Sequence, residues 1–238
     1  MIYVGTAGWS IRAAFADDFP GDGTHLQRHA ERFDAVEINS SFYRPHRRAT
    51  YERWADSVPD RFRFSVKAPE TITHERRLRD CEDLIGKFAG ETGGLGGKLG
   101  VILVQLPPSL PFDADTAAAF FAALGEASDA PLACEPRHRS WFAADADDLL
   151  ETLDVARVAA DPPPAPGAGT PGGCKSLVYY RMHGSPRMYW SDYEEPVLEA
   201  LASRLETDHA RGAQTWCIFD NTAAGYATRD ALRMRSLT

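Results

Sequence analysis

Along the chain, short apolar runs with a two-residue alternation are separated by stretches in which apolar positions recur every three or four residues. The first pattern predicts strands over residues 2–7, 35–39, 63–67, 101–105, 132–135, 155–161, 177–183 and 215–220. The second predicts helices. One carries Leu26, His29, Ala30 and Phe33 behind Thr24 as N-cap, and another carries Tyr51, Trp54, Ala55 and Val58 behind Thr50. Others follow around Ile85, Phe121, Leu150 and Leu201. Strand-helix alternation predicts the α/β class with parallel strands, since parallel neighbours need a long crossover. Eight strands within 238 residues predict one domain, residues 1–238, folded as a TIM-type (β/α)8 barrel. The connection over 161–176 differs, because five prolines and four glycines in sixteen residues cannot sustain a helix interior. An irregular crossover is expected there in place of the sixth helix.

Alternation also assigns faces. Val36 and Ile38 oppose Glu37 and Asn39, and Phe64 and Val66 oppose Ser65 and Lys67. Gln105 and Glu135 close their strands, and Tyr179, Arg181 and His183 share one face. The polar set therefore points inward and gathers at the C-terminal strand ends, the rim that carries the active site in barrel enzymes. The structural alternative is that Glu37, Lys67, Glu135 and Arg181 neutralise one another as an ion network. A buried charge must be paired or solvated in either case.

Charge sharpens this picture. The chain carries a formal net charge of -8, which argues against a uniformly basic, nucleic-acid-coating surface. Yet the segments 44–48, 67–79, 135–140 and 181–187 hold eleven Lys or Arg against three Glu, a net of +8, so the remaining 207 residues carry -16. A basic mouth on an acidic body focuses field on an anion such as a phosphate or carboxylate.

Other chemistry is thin. GLGGKLG at 94–100 precedes a strand rather than following one, so it reads as a turn and not a dinucleotide loop. There is no phosphate-loop lysine motif, no H-E-x-x-H and no G-x-S-x-G. Glu37, Glu135, Asp161, His183 and Asp220 have metal-ligand chemistry, but Lys67, Arg137 and Arg181 lie beside them in the pattern, so neither a metal nor a cofactor is expected. Cys134 and Cys217 fall within strands and read as buried, inert thiols. The absence of paired cysteines, of a leader-like start and of a long apolar run leads to the expectation of a cytoplasmic protein with no membrane contact. Trp9, Phe42, Tyr43 and Trp141 follow strands, where they serve either as stacking walls or as core caps.

The stretches GTAGWS (5–10), FDAVEINSSFYRP (33–45), FSVKAP with ITH (64–74), QLPPS (105–109), EPRHRSW (135–141) and YYRMHG (179–184) resemble, in order, the signature of the YecE-like family, domain of unknown function 72. The resemblance implies a barrel with a rim site of Glu37, Asn39, Tyr43, Lys67, His74, Gln105, Glu135, Arg137, Trp141, Asp161, Arg181 and His183. It implies no reaction. The chain departs from the pattern at Pro136, where an aromatic is usual, and at Asp220, where the first of two asparagines is usual; Asn221 keeps the second and joins the binding set. With seventeen residues after Asn221, a curtailed last helix is expected.

Three functions compete at this stage. The first is an enzyme for a small phosphorylated or nucleotide-like anion, bound by Lys67, Arg137 and Arg181. Glu37 or Glu135 would serve as general acid or base, and His183 or His74 would shuttle protons. The second is a module for single-stranded nucleic acid, similar by fold analogy to endonuclease IV-like barrels, with loop arginines on phosphates and Phe42, Tyr43 and Trp141 stacking on a base. The third is a non-catalytic barrel that binds a metabolite or a protein.

Overall fold

The computed structural model describes all residues 1–238. Ten strands run in chain order: β1 Ile2–Thr6, β2 Ala35–Ile38, β3 Arg63–Lys67, β4 Leu99–Gln105, β5 Leu132–Glu135, β6 Val155–Arg157, β7 Ala159–Asp161, β8 Gly172–Gly173, β9 Leu177–Met182 and β10 Gln214–Phe219. The helices are α1 His25–Arg32, α2 Ser40–Tyr43, α3 Arg48–Asp56, α4 Glu82–Thr92, α5 Ala114–Ala127, α6 Ala144–Thr152, α7 Glu195–Ala210 and α8 Tyr226–Leu237. The class is α/β, as the alternation predicts.

The closed eight-stranded (β/α)8 barrel is not what these strands form. They make two sheets, a four-stranded one in the order β1-β10-β9-β7 and a six-stranded one in the order β2-β3-β4-β5-β6-β8. The stretch expected as one strand over 155–161 breaks at Val158, so that β6 pairs with β5 while β7 pairs with β9. Arg157 is part of the reason. Its guanidinium reaches Asp147 at 2.7 Å and the carbonyls of Gly167 and Thr170, and Asp147 accepts the Gly173 N–H at 2.9 Å. These bonds draw the Pro- and Gly-rich crossover, which carries no helix, against β6 as the antiparallel strand β8. At the other margin, β1 and β2 share a single bridge, Ala7 to Glu37. Gly5 permits that close approach, because a Cβ there would sit 2.1 Å from the Ala35 carbonyl oxygen.

The predicted faces hold. Val36, Ile38, Phe64, Val66, Ile102 and Val104 pack outward with Tyr51, Ile85, Phe88 and Phe121 of the helices. A separate inner core of Ala35, Val101, Leu103, Ala133, Tyr179, Trp216 and Ile218 lies between the two sheets. Thr24 caps α1 as expected: its hydroxyl accepts from Gln27 N–H, and the Gln27 side chain accepts from Thr24 N–H at 2.9 Å. The start expected at Thr50 moves instead to Arg48, behind Arg47, which makes no side-chain cap. The last helix is not curtailed. It spans 12 residues and buries Ala227, Ala231 and Met234. All four cysteines are free and buried. No helix is long and apolar enough to cross a membrane.

Candidate functional site

Parallel pairing puts the C-terminal ends of these strands on one side, and their polar residues meet there. In register, Glu37 lies beside Ser65 and Gln105 beside Glu135. Arg181, fully buried, projects from β9 across the space between the sheets. Its Nε and Nη2 grip Glu37 at 2.9 and 2.5 Å, Nη1 donates to Glu135 at 2.6 Å, and Nη2 also reaches Asp220 at 3.1 Å. A rigid five-donor fork is suited to such a bidentate grip with charges to spare. The Tyr179 hydroxyl sits 3.0 Å from Glu37 Oε2 and 2.9 Å from Ser65 Oγ; its one proton goes to the ionised oxygen, leaving the serine to donate. Beneath it, Trp216 stacks on the Tyr179 ring at 5.8 Å and fixes its direction.

His183 is held at both nitrogens. Nε2 lies 3.0 Å from Glu135 Oε1 and Nδ1 lies 3.1 Å from Asp220 Oδ2, an arrangement that only the doubly protonated ring satisfies. Burial opposes that charge, but Glu135 and the two hydrogen bonds raise the His183 pKa above its ordinary value. For Glu135 the balance runs the other way round: burial favours the neutral acid, yet Arg181, His183 and Arg137 hold it well below the usual carboxylate range. Asp220 is lowered too, with burial overcome by Arg181 and His183. Gln105 donates to Glu135 at 3.1 Å, and Arg137 spans Glu135 at 3.3 Å and the Tyr189 hydroxyl at 3.2 Å.

Lys67 behaves differently. It is 5% exposed, yet its Nζ makes no ion pair or hydrogen bond and rests 4.0 Å over the centre of the Phe42 ring. Burial first, then the Arg181 charge, pushes its pKa down to about 8, against the pull of Glu37, Glu135 and Asp220. His74, on a turn of π-helix over Thr71–Glu75, packs edge-on against the same Phe42 ring at 5.0 Å. Burial, Lys67 and Arg137 lower its pKa, so the ring is neutral near pH 7.

The thirteen residues expected at the rim fall into three groups. Glu37, Lys67, Gln105, Glu135, Arg137, Arg181, His183 and His74 come together. The side chains of Trp141 and Asp161 do not, although the Asp161 carbonyl accepts from His183 N–H at 2.7 Å. Trp141 is buried in the outer core, donating to the Leu110 carbonyl at 3.0 Å, and Asp161 accepts from Tyr193 at 2.9 Å. The remaining three are Asn39, Tyr43 and Asn221. Tyr43, 69% exposed, lines a neighbouring cavity of about 160 Å³ with Phe42, Ile72, Leu84 and Phe88. Asn221 ties α8 down through Asp230 and the Ser191 carbonyl. Asn39 leaves a buried Oδ1 without a partner. The five residues with metal-ligand chemistry are not gathered as one set, since Asp161 is held by Tyr193 and the other carboxylates face Arg181.

Two contributors lie outside that expected set. Phe42 carries Lys67 Nζ over its ring and also lines the cavity beside Tyr43, and its place just after a strand does mark it as an aromatic wall. Tyr189, at φ +68, turns edge-on over His183 at 5.6 Å. Nothing in the loop sequence around it announces that contact.

The family described as "Protein of unknown function DUF72" matches residues 3–238. The UPF0759 protein YecE of Escherichia coli K12 is 33% identical over 111 residues, 45% of this chain and 38% of that protein. The UPF0759 protein YunF of Bacillus subtilis 168 is 30% identical over 148 residues, 60% of this chain and 52% of its own length. The chain thus spans about half or less of the curated relatives it matches. Two solved DUF72 structures superpose along the whole chain: one from Enterococcus faecalis V583 with TM-score 0.82, 21% identity and 95% of that chain covered, and one from Thermotoga maritima MSB8 with TM-score 0.79, 24% identity and 98% covered. At such identity the likeness carries the fold alone.

Proposed function

Because this chain belongs to the DUF72 family, whose function is unknown, we propose a function from the chemistry of its strand ends: an enzyme that binds a small phosphorylated or nucleotide-like anion at Lys67 and Arg137 and acts on it by general acid–base chemistry. One observation carries this reading. Three carboxylates, Glu37, Glu135 and Asp220, are matched by Arg181, Arg137 and protonated His183, whereas Lys67 has no anionic partner. A buried ammonium without a counter-ion is costly, and a substrate anion relieves that cost.

The same pairing redistributes the roles. Every nitrogen of Arg181 is on a carboxylate, so it organises the site and the anion falls to Lys67 and the partly exposed Arg137. Glu135 is kept ionised and accepts from several donors at once, which leaves it a poor general acid. Lys67, near pKa 8, is the group able to exchange a proton close to neutrality, and His74, held neutral by burial and the nearby cations, is the acceptor beside it. In the protonated state Lys67 holds the anion; in the neutral state it accepts a proton.

Thermal unfolding against inorganic phosphate, sugar phosphates, nucleotides and short single-stranded DNA tests the reading. A ligand at a hundred times its Kd adds about 2.7 kcal/mol, a shift of roughly 5 to 11 °C for a chain of this size. The expected result is a shift by a small anion that Lys67→Met loses. A shift by DNA alone favours the nucleic-acid function, and no shift with any of them overturns the anion site.

A further inference from the structure

We propose that the substrate of this site carries a carbonyl group, and that Lys67 Nζ condenses with it to form an imine. The proposal rests on the strand ends being an anion site and names the second functional group of the molecule bound there.

The case begins with the lysines. The chain has four, at 67, 87, 98 and 175. Lys98 Nζ donates to the carbonyls of Ala55 and Val58, both at 2.7 Å, and Lys175 Nζ pairs with Glu151 at 2.8 Å. Lys87 is exposed on α4. Lys67 alone combines burial with an unengaged Nζ, and a nitrogen committed to no acceptor keeps its lone pair available once deprotonated. The site also opposes its charge. Arg181 lies close by, and Glu37, Glu135 and Asp220, which pull the other way, make their contacts with Arg181 and His183 instead of with Nζ. Burial beside another cation, with no direct counter-ion, is how a lysine becomes a free amine close to neutral pH.

The groups needed for condensation are present. Lys67 gives its proton to His74, which packs on the same Phe42 ring, and the neutral amine adds to the carbonyl carbon. A C–N bond forms as the carbonyl π bond breaks, and a proton passes from the new ammonium nitrogen to the oxygen, giving a neutral carbinolamine. His74 returns its proton to that hydroxyl, the C–O bond breaks, and one water leaves. The product is a protonated imine on Nζ. The cation is restored, and no oxidant or reductant is consumed. Arg137 remains free on its exposed side for the anionic group.

Glyoxylate, which joins an aldehyde to a carboxylate, is a probe small enough for a group this enclosed. The intact protein is treated with glyoxylate and cyanoborohydride at pH 7.5, and carboxymethyl-lysine is mapped by peptide mass spectrometry. The expected result is modification of Lys67 in preference to the other three by about tenfold or more, falling about tenfold per pH unit well below 8. Inorganic phosphate in excess slows it. Modification that spreads evenly, or that favours exposed Lys87 and Lys175, overturns the imine. If phosphate still raises the melting temperature in that case, and Lys67→Met abolishes the effect, the anion site stands without the covalent step; if phosphate does neither, both readings fall.

Discussion

Arg181 and Lys67 are both cations buried at the strand ends, at 0% and 5% exposure, and they are handled in opposite ways. Arg181 touches three carboxylates. Lys67, within the electrostatic reach of the same three, touches none and lies on an aromatic face. The difference follows from shape. A planar fork can serve several carboxylates at once, and here it draws Glu37, Glu135 and Asp220 onto itself rather than onto Nζ. The arginine side of the cluster is then a scaffold, and the lysine side is the part with unspent chemistry. A purely structural ion network would have included Lys67.

The largest expected effect tests the scaffold. Arg181→Met leaves Glu37, Glu135 and Asp220 buried without their shared partner, which should cost about 3–5 kcal/mol. For a domain of this size that lowers Tm by roughly 6 to 20 °C in thermal unfolding. A loss under about 1 kcal/mol would mean that the carboxylates do not depend on it. Next is Tyr179→Phe. Removing a hydrogen bond to the buried Glu37 carboxylate should cost about 1.5–3 kcal/mol by urea denaturation, with the fold retained because the ring still stacks on Trp216.

A smaller effect appears in the pH dependence. Glu135 and Asp220 are held below their ordinary values of 4.5 and 3.8, so the unfolded chain takes up their protons first and stability falls as the pH drops through that range. His183 is raised above 6.5, so its contribution is complete below that value and is lost as the pH rises through the raised pKa. This unit therefore stabilises most between about pH 4.5 and 6.5. Asp220→Asn replaces a charged acceptor of His183 with a neutral amide and should bring its titration, followed by NMR of the ring, to lower pH.

Lys67→Met should have the smallest effect on stability, within about 1 kcal/mol, because it removes an unpaired buried charge while keeping the contact with Phe42. Its ligand response should nevertheless vanish. Equal destabilisation by Lys67→Met and Arg181→Met would erase the distinction between scaffold and reactive group.

Much of this site was legible from alternation alone. The period of two puts Glu37, Ser65, Lys67 and Arg181 on inward faces, and the ends of parallel strands share one side whatever their order. Trp141 was not legible in this way. Its place after a strand suits a stacking wall equally well, and only the contact with Leu110 and Phe112 shows it in the outer core. Tyr189 reaches His183 and Arg137 from a loop with no period to read.

Local order along the chain, set by side-chain period, capping and turn chemistry, determined where seven of the eight expected strands run, most of the helices, the inward faces and the irregular crossover after the sixth predicted strand. The tertiary structure decided how backbone edges pair and which charges touch. Arg157 and Asp147 bind the crossover against β6, while β1 and β2 meet through one bridge only, and Arg181 takes the carboxylates that Lys67 does not touch. These outcomes depend on which side chains and backbone edges meet in space, and a periodic pattern carries no information about that.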